Sequence, residues 1–164
     1  MTNNEVHERL IEWLGDLLGV TVIKDRQQAQ RPAMPYGMVD LANWREMREH
    51  PRDELYAEAD GVVTAQAEIE MEWVFLFMTY GSQAEDLMRK LQSAVHLKQA
   101  QWGLLQDGLI IHELSGVNSI PELVGEYWEP RAQLNIVVHG MSSGDGVVID
   151  TIEEHAFNIA GERA

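Results

Sequence analysis

The sequence predicts an α+β fold, a mostly antiparallel or mixed sheet with two main helices packed on one face and a charged hairpin protruding from it. Three observations carry this expectation. Two segments place apolar residues at helical spacing, several others alternate with period two, and strands follow one another more often than helices separate them. A chain of 164 residues can hide roughly 70% of its unfolded surface, so a single domain over residues 1–164 is expected.

The first helix places Val6, Leu10, Trp13, Leu14, Leu17 and Leu18 on one stripe, with Glu8, Arg9, Glu12 and Asp16 elsewhere. Thr2 and Glu5 have the spacing of a capping box, and Gly19 suits the left-handed conformation that ends a helix. A short apolar run, Val20 to Ile23, precedes a polar stretch with Pro32 and Pro35, and Tyr36 to Leu41 then reads as a strand. Arg45 to Asp60 is densely charged and contains Pro51, which predicts an exposed loop or a protruding hairpin arm rather than core.

From Val63 to Phe77 the odd positions are apolar, while Thr64, Gln66, Glu68, Glu70 and Glu72 alternate with them. Beyond Glu72 both faces turn apolar, so one strand runs from a solvated edge into a region covered on both sides, with a bulge expected midway. Ser82 and Glu85 suggest a second capping box, before a stripe of Leu87, Met88, Leu91, Ala94 and Val95. Leu87, Leu91 and Val95 are expected to pack on the sheet face bearing Ile69, Trp73 and Phe75. Gln99 to Leu105 prolongs this helix or forms a short separate turn, Asp107-Gly108 ends it, and Leu109 to Leu114 reads as a strand. Ala132, Leu134, Ile136 and Val138 alternate along another strand, which a glycine-rich turn joins to Val147–Ile149 in an expected hairpin. The tail from Thr151 to Ile159 is expected to add an edge strand.

An apolar fraction of 45% and a charged fraction of 24% are those of an ordinary globular protein, so the chain should fold. The net charge of −15 repels phosphate and argues against tight, sequence-blind nucleic-acid binding. The sequence has no cysteine, which excludes disulfides, zinc–thiolate sites and thiol nucleophiles. Glu5 and Glu8 stand where a signal peptide needs a basic start, and the uncharged run Trp73 to Gln83 falls well short of the about 20 residues a spanning helix needs. No membrane association is expected.

Sequence features that could carry chemistry favour structural readings. His112, His139 and His155 would have to converge from separate elements to hold a metal. Gly140-Met141-Ser142-Ser143-Gly144 matches G-x-S-x-G, but that motif needs a strand-to-helix turn, and the element after these glycines reads as a strand. Glu68, Glu70 and Glu72 share a strand face and are more economically a solvated or lumen-facing stripe than a catalytic pair. Of the five tryptophans, Trp13 and Trp73 lie on apolar stripes and are expected in the core. Trp44 and Trp128 border charged segments and are candidates for contacts between subunits.

Arg31-Pro32-Ala33-Met34-Pro35-Tyr36 entering one strand, Tyr127-Trp128-Glu129-Pro130-Arg131-Ala132-Gln133-Leu134 entering another, and Phe157-Asn158 near the end together resemble the phage neck-terminator proteins, which are akin to tail terminators. Pro130 departs from the more usual polar residue of that pattern. The resemblance implies a structural subunit without catalytic residues, cofactor or metal. Such a subunit forms a hexameric ring, caps the finished tail tube and meets the head connector or adaptor protein, with DNA passing only in transit. It implies a place in the neck or tail of the virion, and in the host cytoplasm during assembly. Trp44, Arg45, Arg48, Arg52, Trp128, Glu129 and Arg131 are the candidate subunit-interface residues. The rival readings are a small hydrolase or metal-dependent enzyme built on His139, Ser142 or the glutamates, and another head–tail completion or binding module.

Overall fold

The computed structural model describes residues 1–25, 30–144 and 146–149. Along the chain these form α1 (Asn3–Leu18), β1 (Thr21–Lys24), β2 (Tyr36–Glu46), β3 (Asp53–Ala59), β4 (Val62–Tyr80), α2 (Ala84–Ala94), α3 (Trp102–Gln106), β5 (Ile110–Leu114), β6 (Asn118–Ser119), β7 (Glu122–Val124), β8 (Tyr127–Glu129), β9 (Arg131–Ser143) and β10 (Val147–Val148). The expected α+β architecture is present. The main sheet runs β1-β2-β4-β9-β5, with β3 and β10 added along β4 and β6 along β9, while β7 and β8 form a separate two-stranded sheet. Among the described residues only β1 and β2 pair in parallel, so the sheet is mixed.

Helix α1 starts as its residue types dictate. The Thr2 hydroxyl accepts from the Glu5 amide, the Glu5 carboxylate accepts from the Thr2 amide, and Gly19 closes the helix at φ 72°. The expected second capping box does not form. The cap of α2 is Gln83, with no side-chain hydrogen bond, because the helix begins at Ala84 and leaves Ser82 one position too early. Backbone carbonyls serve there instead, Gly81 accepting from the Ala84 amide and Gln83 from the Leu87 amide.

Strand β4 organises everything else. One of its edges pairs with β2 from Tyr80 to Met71 and then with β3 from Glu68 to Val62. The other pairs with β9 from Tyr80 to Glu68 and then with β10 at Ala65 and Thr64. The expected bulge therefore lies not in β4 but in its neighbour, where the register shifts between Leu41 and Asn43 of β2. The expected β9–β10 hairpin is also absent. Both strands run along the same edge of β4, and the pairing slips by one residue between Ser143↔Glu68 and Val147↔Ala65. The glycine-rich segment is thus an insertion in a continuing line of pairing. The charged segment does form a hairpin arm. Asp60 (φ 53°) and Gly61 (φ 75°) connect the Ala59↔Val62 pair, as a two-residue turn between twisted strands requires. The tail from Thr151 to Ile159, including Phe157 and Asn158, lies outside the described residues.

The period of two sorts the sheet into two faces. Met71, Trp73, Phe75 and Phe77 of β4, with Ala132, Leu134, Ile136 and Val138 of β9, turn toward the helices and join Val6, Leu10, Leu14, Leu87, Met88 and Leu91 in one buried cluster. Ile69 and Val95 pack against its margin. The approach is close at Gly37, where a Cβ would stand 2.8 Å from the Phe77 ring. On the opposite face Tyr36, Met38, Met78 and Tyr80 form a second, smaller cluster. Polar anchors tie α1 down: the Trp73 indole donates to Asn3 Oδ1 at 2.8 Å, and the Trp13 indole to the Ala100 carbonyl at 2.7 Å.

Leu91 is fully buried between α2 and the sheet, so Leu91→Ala should destabilise the fold by about 2–5 kcal/mol. Chemical denaturation of the two proteins measures this directly. An unchanged midpoint would mean that the α2 stripe does not cover the sheet.

Candidate functional site

The candidate interface residues fall into two groups at different levels of β4. Trp44, Arg45, Arg48 and Arg52 belong to β2 and the connector that leads into β3. Trp128, Glu129 and Arg131 belong to the junction of β8 and β9. The connector lies beside Glu68 and Glu70, and Pro130 lies beside Gly81. About ten residues of β4 separate the two, roughly 33 Å at about 3.3 Å per residue.

In the first group the arginines meet carboxylates of their own chain. Arg45 Nε lies 2.6 Å from Glu72, Arg48 Nε lies 2.7 Å from Glu70, and Arg52 reaches the same Glu70 at 3.9 Å. The acidic stripe is therefore not bare, since Glu70 and Glu72 are each engaged by a guanidinium. Glu72 also lies 3.0 Å from His139 Nε2, and the His139 ring stacks on His112 at 4.1 Å. Arg45, Glu72, His139 and His112 thus form a row across four strands on the face away from the helices. The hydrogen bonds from Arg45 and then His139 hold the Glu72 carboxyl below its ordinary range. Trp44 stands 53% exposed on the edge strand of this region.

The second group surrounds a two-stranded hairpin. β7 and β8 pair through Val124↔Tyr127, with Gly125 (φ 65°) and Glu126 as the two-residue turn. The residues between Glu122 and Trp128 are all exposed, including Leu123, Val124, Tyr127 at 79% and Trp128 at 68%. Arg131, by contrast, is half-buried. Its guanidinium lies over the Tyr80 ring at 5.4 Å, with one nitrogen 3.6 Å from Glu122 and another 2.8 Å from Met78 Sδ. Tyr80 in turn stacks on Tyr36 at 4.7 Å, and burial raises the pKa of both phenols. Arg131 therefore braces the outer cluster, whereas Trp128 is free-standing. A groove of about 320 Å³ opens under the hairpin, lined by Met34, Gly81, Ser82, Val124, Tyr127, Trp128, Glu129 and Pro130.

Sequence patterning alone did not single out the hairpin. Its signal was present as two β-forming pairs, Leu123-Val124 and Tyr127-Trp128, around Gly-Glu. The chemistry-bearing candidates resolve against one another. Ser142 pairs with Ile69 on the helix side of the sheet and donates to the Met1 carbonyl at 2.8 Å, while His139 pairs with Glu72 on the opposite side. A serine and a histidine three residues apart on one strand cannot share a proton. His112 and His139 do come together, but His155 lies outside the described residues. Among the described residues no group of three or more His, Asp or Glu side chains could hold a metal ion, and no helix is long and apolar enough to cross a membrane.

The profile of a family described as "Phage neck terminator protein" matches residues 5–162. Among curated proteins none matches the chain.

Two groups should make the fold acid-labile in separate windows. His7 is buried with Nε2 3.1 Å from the Val39 carbonyl, and burial lowers its pKa below 6.5. A base with a depressed folded pKa leaves the unfolded chain binding more protons, so stability should fall as pH drops below about 6.5. Glu72, lowered from 4.5, contributes stability that is present above about pH 4.5 and is lost as pH falls through its folded pKa. Thermal midpoints between pH 8 and 3 should show both declines. Glu72→Gln should weaken only the lower one, leaving the part due to Glu5, which its hydrogen bonds with Thr2 also hold low, and a profile unchanged in that variant would deny the row its role.

Proposed function

The chain belongs to the phage neck terminator family, and from that premise we propose that it acts by assembling into a ring that caps the tail tube and meets the head connector. Membership makes it a structural head–tail protein of the virion neck. The ring, its stoichiometry and the two neighbours are the proposed part.

The observation that carries this reading is the β7–β8 hairpin. A two-stranded ribbon is marginal in water by itself, yet this one exposes Leu123, Val124, Tyr127 and Trp128 together. Aromatic residues grouped in this way are typical of the centres of protein interfaces. The β3–β4 arm supports it from the other end of the sheet with Leu55, Tyr56 and Val62 exposed, joined by Val147 and Val148 of β10. The charge of −15 suits a channel through which DNA slides without sticking. No observation favours the hydrolase reading, since Ser142 and His139 occupy opposite faces.

Removing Glu58–Ala59 and Val62–Val63 retains the Asp60-Gly61 turn and the alternation of hydrogen-bonded pairs behind it, and shortens the arm by two residue pairs, about 7 Å. The shortened chain should keep its fold, as read by circular dichroism. Its self-association, followed by light scattering, should weaken, and tails completed with it should join heads less often in electron micrographs. Normal assembly and joining would remove the arm from the proposed contacts.

A further inference from the structure

We propose that the groove beneath the β7–β8 hairpin is a socket for an arginine side chain from the connector 45–52 of a second copy of this chain. The inference rests on the self-assembly proposed above and supplies the contact that would perform it.

The socket has an apolar wall and an acidic end. Met34, Val124, Tyr127, Trp128 and Pro130 offer surface for an aliphatic stem, and the aromatic rings offer faces on which a guanidinium can lie. Glu129 lines the same groove, and one of its carboxylate oxygens is enclosed without a hydrogen-bond partner. That oxygen is closed to solvent, so a donor entering the groove meets the part of the Glu129 side chain that lines it. Arg131, the nearest guanidinium in sequence, directs its terminal nitrogens to Glu122 and Met78 and lies over the Tyr80 ring, while its Nε, like the Glu129 oxygen, is enclosed without a hydrogen-bond partner. The hairpin has three carboxylates, Glu122, Glu126 and Glu129, and no base of its own. Arg131 meets Glu122 and Arg31 lies near Tyr36 and Tyr80, so the remaining acidity of Glu126 and Glu129 favours a positively charged occupant.

Charge complementarity selects the occupant. The stretch 45–52 carries three arginines against two glutamates, Glu46 and Glu49. Arg45 at the end of β2 and Arg48 and Arg52 of the connector have side chains 68%, 64% and 61% exposed. Arg48 and Arg52 share a single carboxylate, Glu70, and a guanidinium has five donors, so both retain capacity for a further acceptor. The same chain cannot fill its own socket, because the connector and Glu129 stand roughly 33 Å apart along β4. Donor and socket are different patches, so the contact is head-to-tail, the type that closes into a ring or runs on as a filament.

The absence of cysteine makes a clean test available. Two single-cysteine variants, Arg48→Cys and Trp128→Cys, both at exposed positions, are mixed and oxidised, and the products are separated by mass. A disulfide forms only where Cα atoms approach within about 7 Å, so a mixed dimer in excess of either homodimer is the expected result. Independently, Glu129→Arg should weaken self-association at least about tenfold, and mixing it with a chain carrying Arg48→Glu and Arg52→Glu should restore it. Light scattering is run on every sample, and the cross-linking is repeated in assembled neck particles. Oligomers without the mixed cross-link, or a cross-link from position 128 to a different neck protein, overturn this contact and leave the ring reading intact. A chain that stays monomeric in solution and in particles overturns both.

Discussion

A strand of 19 residues is about 60 Å long, whereas a helix of 16 residues is about 24 Å and one of 11 residues about 17 Å. No arrangement of α1 and α2 can cover β4 from end to end. The mismatch sets the character of the molecule. Where the helices lie, β4 buries Trp73, Phe75 and Phe77 completely. Beyond Ile69, which packs only at the margin of the core, the same strand continues with β3 and β10 beside it. Its residues there, Ala65 and Ala67 with flanking Val63 and Thr64, are small or β-branched and half-exposed. Backbone pairing with β3 and β10, rather than side-chain burial, holds that part together.

Charge is distributed so that the projecting parts stay soluble without becoming uniformly repulsive. Exposed ion pairs contribute only about 0.2–1 kcal/mol each, so the pairing of Arg48 and Arg52 with Glu70 is not what makes the arm stable. Its effect is local neutralisation on a chain whose net charge is −15. The Arg45–Glu72–His139 row is better enclosed, with the glutamate side chain 14% and the histidine 17% exposed. A partly desolvated carboxylate needs such partners. Glu72 and His139 therefore belong to the sheet, while Arg45, like Arg48 and Arg52, stands at the surface.

The parts of this fold that were legible in the sequence are those in which a local rule and a tertiary requirement coincide. Helix α1 announces itself through Thr2, Glu5 and Gly19 and through a stripe that becomes buried. The alternation along β4 maps directly onto its two faces. Legibility ended where pairing partners had to be chosen. Nothing local tells Val147 that it will continue along the edge of Ala65 rather than turn back on β9, because both outcomes satisfy the same β propensity and glycine content. The capping motif at Ser82 failed for a related reason: the helix start was set by Gly81 and by packing at Ala84, not by the nearest hydroxyl. At the candidate site, Trp44 and Trp128 proved exposed as their charged surroundings indicated. Arg131 did not, since its position opposite Tyr80 draws it inward.

In the proposed ring, so acidic a chain would have to overcome repulsion between like copies, and the range of that repulsion decides how it can be done. At physiological ionic strength the screening length is about 8 Å, so two copies feel each other's total charge only weakly until their surfaces nearly touch. At that range local composition decides. The hairpin presents Glu122, Glu126 and Glu129 beside Tyr127 and Trp128, and the stretch 45–52 presents three arginines and two glutamates beside Trp44. Hairpin against hairpin would bring carboxylates together, as a two-fold symmetric contact through that patch requires. Hairpin against connector opposes unlike charges and stacks apolar surface behind them. The distribution of charge therefore penalises the symmetric dimer and leaves the head-to-tail contact as the favourable one, and only a head-to-tail contact can be repeated around a ring.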